Sequence, residues 1–295
     1  MRVFVTGATG FVGSAVVQEL IGAGHKVLGL TRSDEGAASL ATVGAEVHRG
    51  DIEDLESLRR GAAMSEGVIH TAFNHDFSKF KENCEADRRA IEALGGALAG
   101  SNRPLIVTSG LFATPGRLMT EDDAPPSNSA FPRVSEQTAM PMVSLGVRVS
   151  VVRLPQVHDT VKQGLVTYAI ALAREKGVSA YVGDGLNRWP AVHLLDAAPL
   201  YRLALEKGSA GARYHAVAEE GVPVREIAEA IGRGLKIPVV SRSPEEASGH
   251  FGWLGGFAGM DGPASSALTQ QRLGWRPTQK PGLIDDLDQM RYFRD

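Results

Sequence analysis

The 295-residue sequence contains a single cysteine, Cys84, so it cannot form an intramolecular disulfide. The Cys/His spacing of a zinc site is also missing. No stretch approaches the ~20 apolar residues of a membrane span, and a strand-like opening leaves no room for a signal peptide. The formal net charge is −3, with 31 basic and 34 acidic residues, so no basic field would attract nucleic acid or anionic membranes. We therefore expect a soluble, cytoplasmic protein that binds no metal, no nucleic acid and no membrane.

The glycine-rich opening, MRVFVTGATGFVG, is the most informative segment. A short apolar run leads into the glycines, and an apolar periodic segment follows, which predicts a strand, a tight turn and a helix. The glycines permit a tight turn, the approach of a pyrophosphate and close helix packing, while the helix N-terminus attracts phosphate. The alternative is a glycine-rich turn without a ligand. The segment predicts a dinucleotide site formed by Gly7, Thr9, Gly10, Phe11, Val12 and Gly13.

Strand-like and helix-like segments alternate along the chain, as in βαβ units on a parallel sheet. The predicted strands are Arg2–Thr6, Lys26–Leu30, Glu46–Arg49, Gly67–Thr71, Leu105–Thr108, Arg148–Leu154 and one near Arg213–Val217. The predicted helices are Phe11–Ala23, Leu55–Ala63, Phe80–Ala99, Val134–Leu145, Gly164–Lys176, Ala197–Lys207 and Val224–Leu235. The pattern predicts an α/β fold, a Rossmann-type doubly wound parallel sheet with a small C-terminal lobe.

The domain boundaries follow from where this pattern loosens. We assign residues 1–155 to the dinucleotide-binding domain, with 183–217 returning to it, and most of 156–295 to a substrate-binding lobe. The acidic, proline-rich stretch Thr120–Pro132 predicts a surface loop, because Pro and Asp interrupt helices. Gly249–Gly262 mixes glycines with aromatic residues and fits neither the helical nor the strand period.

The end of the second strand indicates which dinucleotide binds. An NAD site usually has a carboxylate here for the adenosine ribose, but Thr31, Arg32 and Ser33 precede the first acidic residue, Asp34. A guanidinium and two hydroxyls suit the 2′-phosphate of NADP(H). The alternative is that Arg32 is a solvated loop residue.

Asp51 and Ile52 follow the third strand and are expected beside the adenine. The Asp51 carboxylate can accept a hydrogen bond from the adenine amino group. Asp51 could equally cap the helix that begins at Leu55, and the two roles are compatible.

The stretches TGATGFVG, GDIEDLESL, VIHTA, LIVTSG, VRVSVVRLPQVH, WPAVHLLDAA and RLGWRP resemble the extended or atypical short-chain dehydrogenases/reductases. Similar members are nucleotide-sugar epimerases, dihydroflavonol reductases and 3β-hydroxysteroid dehydrogenases. The resemblance implies that Thr71, Ala72, Thr108 and Pro155 contact the cofactor. His193 and Asp196, and the RLGWRP motif, match structural segments. It also implies a homodimer formed through the helices Phe80–Ala99 and Val134–Leu145.

The chain departs from this family at the catalytic positions. Members carry a serine or threonine after the fifth strand and a Tyr-x-x-x-Lys pair on the next helix. Here Gly110 stands at the hydroxyl position, Pro132 at the tyrosine and Glu136 at the lysine. No tyrosine occurs between Met1 and Thr167, so a shift in alignment cannot restore one. The usual acid and base are absent.

Hydride transfer does not require tyrosine, so another proton donor is conceivable. The candidates are Ser109 at the end of the fifth strand, His75 after the fourth strand and His158 after the sixth. Each has a plainer alternative: a hydroxyl bonded to cofactor or backbone, a solvent-facing loop histidine and a packed turn residue held by Asp159. Tyr168, Tyr181 and Glu136 are further options, although an exposed Glu136 would be ionised.

Aromatic side chains are expected to line an apolar substrate pocket: Phe73, Phe112, Trp189 and Trp253. Arginines are not clustered as a nucleotide-sugar substrate would demand. The sequence thus predicts an NADPH-dependent oxidoreductase that reduces a C=O or C=N bond of an apolar small molecule with a nonstandard proton donor. The alternatives are an NADP(H)-binding sensor without turnover and a nucleotide-sugar epimerase or dehydratase.

Overall fold

The computed structural model describes residues 1–114, 116–125, 132–290 and 293. The strands are β1 (Arg2–Thr6), β2 (Lys26–Thr31), β3 (Glu46–Arg49), β4 (Gly67–His70), β5 (Pro104–Gly110), β6 (Arg148–Leu154), β7 (Gln156–His158), β8 (Ser179–Val182), β9 (Arg188–His193), β10 (Ala212–His215), β11 (Glu219–Pro223) and β12 (Val239–Arg242). The α-helices are α1 (Phe11–Gly22), α2 (Asp34–Thr42), α3 (Leu55–Ala63), α4 (Phe80–Leu98), α5 (Ser135–Ala139), α6 (Val166–Lys176), α7 (Leu194–Lys207), α8 (Val224–Leu235), α9 (Pro244–Phe251), α10 (Gly255–Ala258), α11 (Ala267–Leu273) and α12 (Leu283–Asp288). Short 3₁₀ helices lie at Phe77–Lys79, Met140–Leu145 and Gly252–Leu254.

Seven parallel strands form the central sheet in the order β10-β6-β5-β4-β1-β2-β3. Its inner strands are apolar runs such as Val3–Val5 and Leu105–Val107, because helices bury both faces. The chain order reverses between β1 and β4, and in open α/β sheets the ligand crevice opens there, at the carboxyl ends of the strands. The predicted fold class is confirmed.

Helices cover the two faces of the sheet with separate cores. Leu20 of α1 and Tyr201 of α7 pack on one face. Leu58 of α3 and Ile91 of α4 pack on the other. These side chains are fully buried, and each such burial stabilises the fold by roughly 1.5–3 kcal/mol relative to exposure. The rigid sandwich that results fixes the strand ends at which the crevice lies.

A smaller lobe is built mainly from the second half of the chain. It contains the three-stranded sheet β11-β9-β7, the parallel pair β8 and β12, and a core of α6, α8 and α12. β10 returns to the central sheet, whereas β9 belongs to the smaller one. Trp275 is buried and donates its indole N–H to the backbone oxygen of Asp196 at 2.9 Å. The Asp196 carboxylate accepts from the backbone of Thr278 and Gln279, so it anchors the C-terminal segment to α7.

Several elements differ from the sequence-based expectations. The helix predicted over Val134–Leu145 is α-helical only to Ala139 and continues as a 3₁₀ helix, in which Pro141 has no N–H to donate. α2 was not predicted, because it buries only Gly36 and Leu40 and so has little apolar periodicity. The glycine-rich stretch Gly249–Gly262 contains the end of α9, a 3₁₀ turn and α10.

The expected surface loop Thr120–Pro132 is only partly described, since residues 126–131 lie outside the described ranges. Within the described part, Glu121 is buried and its carboxylate accepts hydrogen bonds from the Thr269 N–H and hydroxyl, both at 2.6 Å. The expectation is wrong for this residue, because the acidic side chain holds the start of α11 rather than facing solvent. In the ranges described, no helix is both long and apolar enough to cross a membrane.

Candidate active site

Three glycines build the turn between β1 and α1. Gly7 has a φ of +67°, and a Cβ there would lie 2.7 Å from the backbone nitrogen of Ala72. A Cβ on Gly13 would lie 2.0 Å from the carbonyl oxygen of Gly7, so only glycine lets the helix approach the turn this closely. Gly10 is the N-cap of α1, and both it and Thr9 are exposed. The turn is therefore open on its outer side and tightly packed on its inner side.

The start of α1 has the properties of a phosphate site. Within the described residues no side chain caps Gly10, and the first turn contains no acidic residue. The first N–H groups of a helix have no intrahelical partner and carry a partial positive charge. Phe11 and Val12 lie there and are partly buried. This turn fits the pyrophosphate of a dinucleotide cofactor.

The end of β4 borders the same crevice. The Thr71 hydroxyl donates to the backbone oxygen of Thr6 at 2.7 Å, and the Ala72 N–H donates to the Thr6 hydroxyl at 3.4 Å. These bonds fasten Thr71 and Ala72 against the glycine turn, where the resemblance places cofactor contacts.

The end of β2 presents an arginine to solvent. The Arg32 side chain is 81% exposed, and its Nη1 lies 3.4 Å from Oδ2 of Asp51. Ser33 caps α2 by accepting from the Gly36 N–H at 3.0 Å, while Thr31 is buried. An exposed guanidinium and the N-terminus of α2 thus lie at the end of β2, where a dinucleotide would place its adenosine ribose.

Asp51 does not cap the helix that follows it. Asp54 does so by accepting from the Ser57 N–H at 3.0 Å, so the capping alternative for Asp51 is wrong. One Asp51 oxygen accepts from the Glu53 N–H and the other faces Arg32, while Ile52 packs against the core. Asp51 therefore stays at the rim of the predicted adenine site.

The position of the family lysine is occupied by a locked ion pair. Glu136 is only 2% exposed, and its two oxygens accept from Nε and Nη2 of Arg153 at 2.8 and 2.9 Å. Arg213 donates to the same carboxylate. The expectation from sequence assumes that the Glu136 side chain is exposed, and the structure shows that it is buried. With both oxygens engaged by guanidinium groups, this side chain cannot replace the lysine.

A buried hydrogen-bond chain links four elements, β1, β4, α4 and α5, behind the crevice. Oγ1 of Thr6 lies 2.8 Å from Nδ1 of His70, and Nε2 of His70 lies 3.1 Å from Oδ1 of Asp87. The Ser135 hydroxyl donates to the other Asp87 oxygen at 2.5 Å and accepts from Nε of Arg133 at 3.0 Å. The chain therefore runs from the glycine turn to an arginine next to the family's tyrosine position.

The charge of Asp87 stabilises this chain. Burial alone would raise the pKa of Asp87, but the hydrogen bond from His70 and the charge of Arg133 outweigh it and hold the pKa below its usual value. Our sequence reasoning did not identify these residues. The available signal was a threonine and a histidine at core positions of apolar strands, since buried polar groups require partners.

Two of the proton-donor candidates lie at the crevice. Ser109 is partly buried near the end of β5, and its hydroxyl has no hydrogen-bond partner among the described residues. The hydroxyl of the adjacent Thr108 lies 2.8 Å from the Tyr201 hydroxyl in the core, and its contact with the cofactor stays a prediction. Crowding by protein lowers the pKa of His75, and the charges of Arg133 and Lys162 lower it further. His75 is exposed in the loop after β4, as the solvent-facing alternative requires.

The third candidate, His158, is buried on β7. Its Nδ1 lies 2.6 Å from Oδ2 of Asp286 on α12, and its ring meets His193 edge to face. Burial lowers the pKa of His158, against the opposing effect of Asp286. The partner is thus Asp286 rather than Asp159, and this geometry favours a structural role. Pro155 is partly buried in the bend between β6 and β7.

The predicted pocket aromatics fall into different environments. Phe73 lies at the crevice under the Arg133 guanidinium, and Phe112 covers Arg153 at 5.0 Å. Trp253 stacks on Phe77 with ring centres 3.9 Å apart and an interplanar angle of 6°. Trp189 differs from the expectation, because it is buried in the core of the smaller lobe and donates to the Phe257 oxygen.

An apolar wall nevertheless faces the crevice. Tyr168 meets both rings of the Phe77–Trp253 stack edge to face, and its hydroxyl donates to the His75 oxygen at 3.4 Å. This cluster joins the loop after β4 to the smaller lobe and places apolar surface beside the strand ends.

Comparison with known proteins agrees with this geometry. The NAD dependent epimerase/dehydratase family matches residues 3–109. An uncharacterized protein of Schizosaccharomyces pombe is 51% identical over 99% of this chain and 100% of its own, and one of Saccharomyces cerevisiae is 47% identical over 97% and 98%. Sterol-4-alpha-carboxylate 3-dehydrogenase, decarboxylating, of Dictyostelium discoideum is 27% identical over 76% and 73%. The solved UDP-glucose 4-epimerase of Thermotoga maritima has a TM-score of 0.76 at 21% identity over 100% and 99%, which shows a shared fold.

Proposed function

Because the chain belongs to the NAD dependent epimerase/dehydratase family of short-chain dehydrogenases/reductases, we propose that it is an NADP(H)-dependent oxidoreductase. Its reaction is the reduction of a C=O or C=N bond of an apolar small molecule. The observation that carries the proposal is the exposed Arg32 at the end of β2, where an NAD site would present a carboxylate. Its guanidinium can bind the 2′-phosphate bidentately.

Some residues of the crevice would bind the cofactor, and others would shield the reacting atoms from water. The glycine turn and the start of α1 hold the pyrophosphate, and Thr71 and Ala72 border the nicotinamide half. When bound, NADPH supplies the hydride. The aromatic wall of Phe77, Tyr168 and Trp253 excludes water from the strand ends.

The proton must come from a source other than the family's tyrosine. We assign it to the Ser109 hydroxyl, which lies at the end of β5 and passes a proton from solvent to the product oxygen or nitrogen. His75 is less suited to donate, because its lowered pKa disfavours the protonated imidazolium and its side chain is exposed. Relatives of similar identity include a 2-alkyl-3-oxoalkanoate reductase of Stenotrophomonas maltophilia, 24% identical, and a UDP-glucose 4-epimerase of Streptomyces lividans, 25% identical. The choice of a reductase therefore rests on the missing tyrosine, on which an epimerase usually depends.

A second function, NADP(H) sensing without turnover, is favoured by one observation. Glu136 replaces the lysine and is immobilised by Arg153 and Arg213. The two functions differ in whether cofactor is consumed.

The test is the loss of NADPH absorbance with a panel of ketones, aldehydes and cyclic imines, with NADH measured in parallel. Turnover that is faster with NADPH supports the reductase. Tight NADPH binding without turnover on any compound favours the sensor, and a clear preference for NADH contradicts the assignment of Arg32.

A further inference from the structure

Arg133 lies over the carboxyl ends of β4 and β5. Its Nη2 donates to the backbone oxygen of Thr108 at 3.3 Å, and its Nε donates to the Ser135 hydroxyl at 3.0 Å. Its guanidinium carbon lies 4.1 Å from the centre of the Phe73 ring. Contacts from three separate segments therefore fix the orientation of the guanidinium at the crevice.

The buried hydrogen-bond chain behind Arg133 holds the Nε side of its guanidinium against Ser135. The Ser135 proton is committed to Asp87, so the lone pairs of the Ser135 oxygen face the Arg133 N–H. Both Ser135 and Asp87 are buried, which leaves them no alternative water partners. Asp87 therefore stabilises the Arg133 cation through Ser135 and forms no direct ion pair with it.

Among the residues that the structure describes, none contacts the outer edge of this guanidinium. Arginine has five N–H donors, of which two are accounted for by Ser135 and Thr108. Across the described residues no carboxylate forms an ion pair with Arg133, although the side chain is partly buried. Nη1 and the second hydrogen of Nη2 have no partner among the described residues, and together they match the geometry of a carboxylate bound bidentately.

A second cation stands nearby. The Lys162 ammonium lies 5.7 Å from the centre of the Phe11 ring, and its charge, like that of Arg133, lowers the pKa of His75. The crevice thus combines apolar rings with positive charge, which suits a ligand with an apolar body and a single anionic group.

We propose that Arg133 binds a carboxylate of the substrate, so that the substrate is an apolar oxo acid. The carboxylate seats on the Nη edge of Arg133, the apolar part packs against Phe73 and the aromatic wall, and the oxo group reaches Ser109 at the end of β5. This inference rests on the proposed reductase function. It makes Arg133 a specificity residue that touches substrate.

The experiment compares aromatic and aliphatic 2-oxo and 3-oxo acids with their methyl esters, which lack the anion but keep the carbonyl. Wild-type protein should reduce the acids with kcat/KM about tenfold or more above the esters. Arg133→Gln should lower kcat/KM for the acids by roughly 10- to 100-fold, mainly through KM, and change the esters little. Arg133→Lys should fall in between, because it keeps the charge and loses the fork.

Arg60→Gln is the matched control, since Arg60 is an exposed arginine on α3, and it should leave both substrate series unchanged. Equal turnover of acids and esters, or equal losses for both in Arg133→Gln, would overturn the carboxylate site while leaving the reductase intact. If no compound is reduced, the reductase fails. The binding inference is then judged by thermal shift of NADP⁺-loaded protein: a shift with the acids that Arg133→Gln abolishes supports it, and no shift overturns it.

Discussion

Replacing Arg32 by alanine should weaken the binding of NADPH far more than that of NADH. Only NADPH carries the 2′-phosphate that the guanidinium would contact. The side chain already has a partner in Asp51, but that pair is exposed and 3.4 Å long. Such surface pairs contribute about 0–1 kcal/mol, so the substitution should leave the fold intact.

The size of the effect follows from the exposure of the guanidinium. A hydrogen bond to a charged group contributes about 1.5–3 kcal/mol. Because the Arg32 side chain is 81% exposed, solvent and salt screen it, and we take the lower end of this range. The dissociation constant for NADPH should therefore rise by about tenfold, and that for NADH by less than about twofold.

Isothermal titration calorimetry with each nucleotide measures both constants. Arg233→Ala is a suitable control, because Arg233 is similarly exposed, has one carboxylate partner in Asp288 and lies in the smaller lobe. Raising the salt concentration should reduce the difference between wild type and Arg32→Ala for NADPH alone. Equal losses for NADPH and NADH would refute the assignment of Arg32 to the 2′-phosphate.

Four further substitutions and one control, Gly96→Ala, test other parts of the structure. Gly13→Ala forces a Cβ to 2.0 Å from a backbone oxygen and should abolish dinucleotide binding in calorimetry, whereas Gly96→Ala, with open space around it in α4, should raise the unfolding free energy by up to about 1 kcal/mol. Glu136→Gln leaves a buried guanidinium without its carboxylate and should lower the urea-unfolding free energy by about 3–5 kcal/mol; a loss below about 1 kcal/mol would contradict the locked ion pair. Burial, and secondarily a neighbouring arginine charge, lowers the pKa of His215 from 6.5 to about 3. This residue should therefore contribute a fall in stability of about 1.4 kcal/mol per pH unit as the pH drops from 6 to 4, and His215→Gln should reduce the slope by that amount. Ser109→Ala should reduce turnover strongly with unchanged cofactor affinity, and unchanged turnover would move the proton donor to His75.

The parts of the site that sequence could predict are those whose signal is local. β1, the glycine turn and the start of α1 lie within the first thirteen residues. The steric reason for Gly13 is mainly the turn itself, whereas that for Gly7 also involves Thr71 and Ala72 at the end of β4. The parallel sheet follows similarly from the spacing of short apolar runs, because strands that alternate with helices form βαβ units on a parallel sheet.

The parts that sequence could not predict depend on distant partners. From sequence alone, Glu136 is expected to be an exposed helix residue. In the fold, β6 and β10 place Arg153 and Arg213 against its carboxylate. His158 looks like a crevice residue until α12 places Asp286, 128 positions away, against its ring. Propensity and spacing carry no information on such pairings, because tertiary packing decides them.

The stack of Phe77 on Trp253 has a spectroscopic consequence. Of the three tryptophans in the chain, Trp189 and Trp275 are buried in the two cores, while Trp253 is 42% exposed at the wall of the crevice. Any movement that separates the loop after β4 from the smaller lobe would unstack this indole and increase its contact with water. Its emission would then shift to longer wavelength while the buried indoles stay constant. The protein thus carries a built-in fluorescent reporter of crevice opening, readable by stopped flow without a label.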